Sequence, residues 1–328
     1  MRYLILIFLF SGIGLYAQNY QRTSVFKEYY PIAERPIIET GINNNPYENT
    51  LFNAKPIVYY SIYNDIREAL STDTITPGNA VYLTFQPQIR MFNENSKPIK
   101  TPSYKVLFGW QSIVKTEANN FITLAIESGH YSNGQSKSAF SEEFDDGSEE
   151  SKEIYESITD DTNLSEILNR NSGNFSTNLS RLSANYRINR INANNKPYKI
   201  HSFTFTYQLY HNRLLGIFNV GGYNPEDIDI YGRHQIEFRY EYSGYIKSMR
   251  FVVGQDLFLH FGIHPSTDPY RVQTRFMVFP WDTDLGFYTQ FSSGFDDYNY
   301  RFVDSYETIS VGVTWDWFTP FVIKPTRK

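Results

Sequence analysis

Polar and charged side chains alternate with apolar and aromatic ones over unusually long stretches, and this pattern constrains the fold more than any other feature. Within 234–242, Ile236, Phe238, Tyr240 and Tyr242 alternate with Gln235, Glu237, Arg239 and Glu241. Within 271–279, Val272, Thr274, Phe276 and Val278 alternate with Arg271, Gln273, Arg275 and Met277. Ile309, Val311, Val313, Trp315 and Trp317 share one parity near the end of the chain. Successive side chains of a strand point to opposite faces, so each such strand has a wet side and a greasy side. A soluble sandwich or lipocalin-like barrel gives the same alternation, but strand length separates the cases. Many runs reach the ~9–11 residues of a tilted membrane-spanning strand, against ~5–6 in soluble sheets. The expected fold is all-β, a transmembrane antiparallel β-barrel of about 12 strands (about ten to twelve by counting runs) with a long acidic extracellular insert.

Composition supports this reading. The chain holds 27 Tyr and 26 Phe among its 328 residues, yet its mean hydropathy is −0.45. Aromatic girdles around a polar lumen account for both. Met1-Arg2, the apolar run Leu4–Leu15 and Tyr16-Ala17 read as a signal peptide over 1–17. Export without any cysteine suits a bacterial envelope protein. A net charge of −5 with no Lys/Arg stripe leaves no footprint for nucleic acid.

Along the chain, 18–79 reads as a largely irregular N-terminal extension with a short strand around 55–63. The barrel is expected over 80–318, with strands over 81–85, 104–110 and 120–126 and a tail at 319–328. Short turns are expected at Asn194-Asn195, Ser243-Gly244 and Asp282-Thr283-Asp284. An insert at 136–175 breaks the pattern, with ten acidic residues between Ser141 and Asp161. It reads as a solvated, partly disordered loop with one helical signal: Asn163 as N-cap, Glu166 three later, and Leu164, Ile167 and Leu168 on one side.

One short motif carries chemistry. In Gly129-His130-Tyr131-Ser132-Asn133-Gly134, His130 and Ser132 lie two apart on a strand end and so share a face. An imidazole beside a hydroxyl is the minimum for an activated oxygen nucleophile. Gly134 lets a bare backbone N–H approach a reacting oxygen. His201, His211, His234, His260 and His264 show no metal-ligand spacing and read as strand and loop residues, and Gly221-Gly222 reads as a turn.

These residues resemble bacterial outer-membrane phospholipase A. His130-Tyr131-Ser132-Asn133-Gly134 matches that family's His-x-Ser-Asn-Gly motif. Tyr288-Thr289-Gln290-Phe291-Ser292-Ser293-Gly294, Val311-Gly312-Val313 and Asn224-Pro225-Glu226-Asp227-Ile228 followed by Tyr231-Gly232 and Gln235 are similar to three further stretches. The resemblance spans about 80–318 and implies a twelve-stranded barrel hydrolysing acyl esters of phospholipids and lysophospholipids in the outer membrane. It implies Asn178, in Ser176-Thr177-Asn178, as the group orienting His130, with Ser132 as nucleophile and Gly134 in the oxyanion site. It also implies a homodimer with calcium (Ca2+) at its interface. Two calcium-region positions depart from the family, Gln135 replacing arginine and Asn174 replacing serine, and the acidic insert separates Ser132 from Asn178. The competing expectation is a barrel without enzymatic activity, a porin or structural protein.

Overall fold

The structure is a computed structural model that describes residues 32–66, 69, 76–93, 99–116 and 119–316. The expected signal peptide and C-terminal tail lie outside the described residues. The strands are β1 (Ile37–Asn43), β2 (Thr50–Lys55), β3 (Val58–Asn64), β4 (Gly78–Phe92), β5 (Ser103–Lys115), β6 (Phe121–Ser132), β7 (Ser176–Ile191), β8 (Pro197–His211), β9 (Gly232–Ile246), β10 (Met249–Ile263), β11 (Tyr270–Phe279), β12 (Leu285–Phe295) and β13 (Ser305–Trp315). All pairings between neighbouring strands are antiparallel. β1 pairs with β13 and β2, and β2 pairs with β4, so twelve strands close a barrel.

The N-terminal boundary corrects the sequence reading. Residues 37–64, expected as mostly irregular apart from a short strand around 55–63, supply β1, β2 and β3; β3 overlaps that strand, and β1 and β2 complete the ring. β2 and β3 occupy successive lengths of the same edge of β4. Pro56, which has no N–H for the ladder, separates them and cuts the alternation short. Ser243-Gly244 lies within β9, and the chain turns after Ile246, where Lys247 takes a φ of 55°.

Inside and outside follow the alternation. Ile122, Leu124, Ile126, Leu182, Phe203, Phe205, Phe238, Phe276, Phe287 and Ile309 are exposed on the outer wall. The lumen is crossed by ion pairs, including Arg275–Asp256 at 2.5 Å, Arg239–Asp256 at 3.4 Å and Lys55–Asp297 at 2.5 Å. Charges withdrawn from water need such partners. The segments at one end of the barrel are short and at the other long, the pattern of periplasmic turns and extracellular loops. A buried 3-10 turn, Asn299–Val303, fills the long-loop end, where Arg301 binds Glu48 at 2.7 Å.

The acidic insert holds more regular structure than the loop with one helical signal that was expected, although that signal, with Asn163 as N-cap, is present. It forms α1 (Glu149–Ser157) and α2 (Leu164–Ile167). Its carboxylates mostly face water, while Ala139, Phe140, Leu164, Leu168 and Phe175 are buried in one cluster with Tyr131, Tyr210, Tyr231 and Phe302. Ile167, expected beside Leu164 and Leu168, is instead 40% exposed. A third helix, α3 (Pro225–Tyr231), opens on a capping box between Asn224 and Asp227 just before β9.

Candidate active site

β6 and β7 run side by side in a register that sets His130 opposite Asn178 and Ser132 opposite Ser176. His130 and Ser132 have the parity of Ile122, Leu124 and Ile126, so they face outward from the wall. Tyr131 between them faces inward, where its hydroxyl accepts from the Asn299 N–H at 2.8 Å and its ring packs on Phe175 at 4.9 Å. The strand end carrying the pair is thus pinned from within.

Asn178 is fully buried although it belongs to the outward-facing set. Its Oδ1 lies 3.1 Å from His130 Nδ1. Its Nδ2 donates to the carbonyls of Asn212 at 3.1 Å and Val220 at 2.7 Å. Two acceptors on the amide nitrogen fix which end of the amide faces the ring. An acceptor at Nδ1 places the proton there and leaves Nε2 as the basic nitrogen.

The segment joining β8 to α3 covers this pair. Gly221, with φ at +57°, sits so close that a Cβ there would lie 2.7 Å from His130 Cε1. A Cβ on Gly222 would lie 2.2 Å from the Asn212 carbonyl oxygen. The glycine doublet is a turn, as expected, but one whose bareness is required by the imidazole and by Asn212. Ser176 Oγ donates to the Gly221 carbonyl at 3.2 Å, tying the segment to β7.

Ser132 Oγ has no hydrogen-bond partner among the described residues, and hydrogen bonds between catalytic groups are often long before substrate binds. Gly134 takes φ +66° in open space, and its N–H donates to no acceptor among the described residues. Asn133 braces the corner, donating to the Gly173 carbonyl at 2.7 Å and accepting from the Phe175 N–H at 3.0 Å. This brace returns the insert to β7 and brings Ser132 and Asn178 together across it.

The side chains of Gln135 and Asn174, the positions that the resemblance sets near calcium, are turned to protein partners, whereas calcium takes about six to eight oxygen ligands. The Gln135 side chain folds back so that Nε2 meets the Asn133 carbonyl at 3.5 Å. Asn174 turns its NH2 to Asp146, donating to the carboxylate at 2.8 Å. Among the described residues no group of three or more His, Asp or Glu is arranged to hold a metal.

Sequence reasoning missed Asn212, Val220 and Gly221, which approach His130 and Asn178 through backbone atoms that carry no residue signature. His211, read as a strand or loop residue, ends β8 opposite Asn178, where its Nε2 meets Ser180 Oγ at 2.9 Å.

No family model and no curated protein matches the chain by sequence. Among solved structures, outer membrane phospholipase A from Escherichia coli superposes with a TM-score of 0.51 at 12% identity, covering 92% of this chain and 96% of that one. The Salmonella typhi outer membrane phospholipase dimer with bound calcium gives 0.51 at 11% identity, covering 89% and 96%. The likeness is one of fold. It makes this chain an outer-membrane type β-barrel similar to those of the phospholipases.

Proposed function

We propose that the chain is an outer-membrane esterase cleaving acyl esters of phospholipids and lysophospholipids. The observation that carries the reading is the amide of Asn178, held by two carbonyls with its oxygen 3.1 Å from His130 Nδ1. An asparagine with a strand-pairing role alone has no need of that orientation. The outward face of the dyad and the fold shared with outer membrane phospholipase A support a substrate met in the membrane plane.

In the proposed reaction Ser132 Oγ attacks the ester carbonyl carbon while His130 Nε2 takes its proton. Asn178 keeps the other ring proton on Nδ1 and stabilises the imidazolium, as a neutral partner less strongly than a carboxylate. The Gly134 N–H, without an acceptor among the described residues, receives the developing oxyanion. His130 returns the proton to the departing alcohol, leaving an acyl group on Ser132. Water then attacks that ester with His130 again as base, releasing the fatty acid and restoring the hydroxyl. No step is routed through calcium, and homodimer formation is a separate proposal that the phospholipase dimer motivates.

Treatment of the detergent-solubilised protein with a long-chain fluorophosphonate tests the nucleophile. Mass spectrometry is expected to find the adduct on Ser132, with labelling lost in His130→Ala. Labelling elsewhere, or at an unchanged rate without the imidazole, contradicts the assignment. The porin alternative receives no support from a lumen crossed by ion pairs and filled at its extracellular end by Asn299–Val303.

A further inference from the structure

The segment over His130 and Asn178 has a second property that the reaction does not use. Leu214 and Phe218 close a tight hairpin through paired backbone hydrogen bonds, Leu214 N to Phe218 O at 2.8 Å and Phe218 N to Leu214 O at 3.0 Å. At its tip Leu215 and Gly216 both take positive φ, +53° and +74°. Turns of this kind favour Asn, Asp or Gly, and a leucine there is strained by roughly 1–2 kcal/mol. The hairpin then presents Leu215, Ile217, Phe218 and Val220 at 43, 73, 55 and 62% exposure. Water gives no reason to hold four apolar side chains outward on an ordered turn.

The surroundings name what does. Ser128, His130 and Ser132 on β6 and Ser176, Asn178 and Ser180 on β7 form a polar notch in the outer wall, continuous along the same strands with exposed Leu124, Ile126 and Leu182. The hairpin bounds that notch through the Val220 carbonyl and Gly221. An acyl ester has the matching sequence of chemistry, with a polar carbonyl carried on apolar chains. We infer that residues 213–220 form a flap lodged in the lipid beside the site, packing its apolar side chains against the acyl chains of the outer leaflet. This deepens the proposed lipid esterase reading by naming the element that meets the lipid. The apolar face commits the flap to hydrocarbon, and its continuity with the membrane-facing wall favours lipid over a protein partner.

The absence of cysteine from the chain permits a clean test. Ile217→Cys and, separately, Phe218→Cys in the full-length protein carry a nitroxide label, with Glu150→Cys in the water-facing insert as reference. Each is reconstituted in phosphatidylcholine vesicles. The flap labels are expected to be at least about five-fold more accessible to dissolved oxygen than to a water-soluble nickel chelate, relative to the label at residue 150. Nickel accessibility equal to that of the reference overturns the proposal. So does protection from both reagents that disappears on diluting protein in lipid, because a second copy then covers the flap. The readout needs no catalysis, so it stands or falls separately from the nucleophile assignment. Paired labels at two positions guard against one variant failing to insert.

Discussion

Asn178 gains its place in the proposed mechanism from atoms that are not side chains. The Asn212 and Val220 carbonyls hold its amide so that the oxygen faces His130. Asn178→Ala is therefore expected to lower kcat by about 10²-fold, in line with the loss of an oriented acid–base group. Its KM and the mobility of the unheated barrel in electrophoresis should stay close to wild type. Gly221→Ala tests the same geometry from the other side. A Cβ 2.7 Å from His130 Cε1 must displace the ring, and positive φ adds backbone strain. Phospholipid hydrolysis should fall at least ten-fold while the heat-modifiable band persists. Unchanged activity would mean that Gly221 and the imidazole separate in the membrane-embedded protein.

Among the elements, the insert and α3 hold a titratable link. Asp227 is half-buried in α3, accepting from Tyr155 Oη of α1 at 3.1 Å, and its carboxyl is pushed up to about 7 by desolvation and then by the nearby Asp146. Glu226 adds a smaller repulsion in the same direction, while Tyr155 and the Asn224 N–H oppose it. A carboxyl raised in the folded state stabilises it below the unfolded pKa of about 4, and that stability is lost as pH rises through 7. Limited proteolysis should cut the insert faster at pH 8 than at pH 5.5, and Asp227→Asn should flatten the difference. The legibility of each element follows from similar particulars. β9 and β11 were readable because alternation persists uninterrupted from Gln235 to Tyr242 and from Arg271 to Val278. β3 showed as the short strand expected around 55–63, but β2 did not, because Pro56 ends it in a run too short to show a period. In the insert, Phe140, Leu164, Leu168 and Phe175 anchor at spacings set by a tertiary cluster, so the acidic residues dominated its reading. His130 and Ser132 could be paired from local spacing alone. Asn178 required a register across the insert and came only through resemblance, and Gly221 meets His130 from a distant loop.

The whole barrel joins a wet interior to an outer wall on which the proposed chemistry sits. Its extracellular end is held by Arg301, fully buried, which binds Glu48, the Thr101 hydroxyl at 2.6 Å and the Arg170 carbonyl at 2.7 Å. Removing one partner leaves a buried charge uncompensated. Glu48→Ala should destabilise the barrel by about 3–5 kcal/mol, seen as a lower temperature for conversion of the heat-modifiable band. Tyr131 connects this plug to the site, since the Asn299 N–H bonds the hydroxyl between His130 and Ser132. The central claim, that an oxygen nucleophile on the outer wall cleaves lipid esters, rests finally on Ser132. The decisive measurement is fatty-acid release from phospholipid–detergent micelles by wild type and Ser132→Ala, each assayed with calcium and with chelator. The account predicts hydrolysis by wild type and a loss of at least about 10³-fold in the variant under whichever condition supports activity. Equal rates for the two proteins would contradict it.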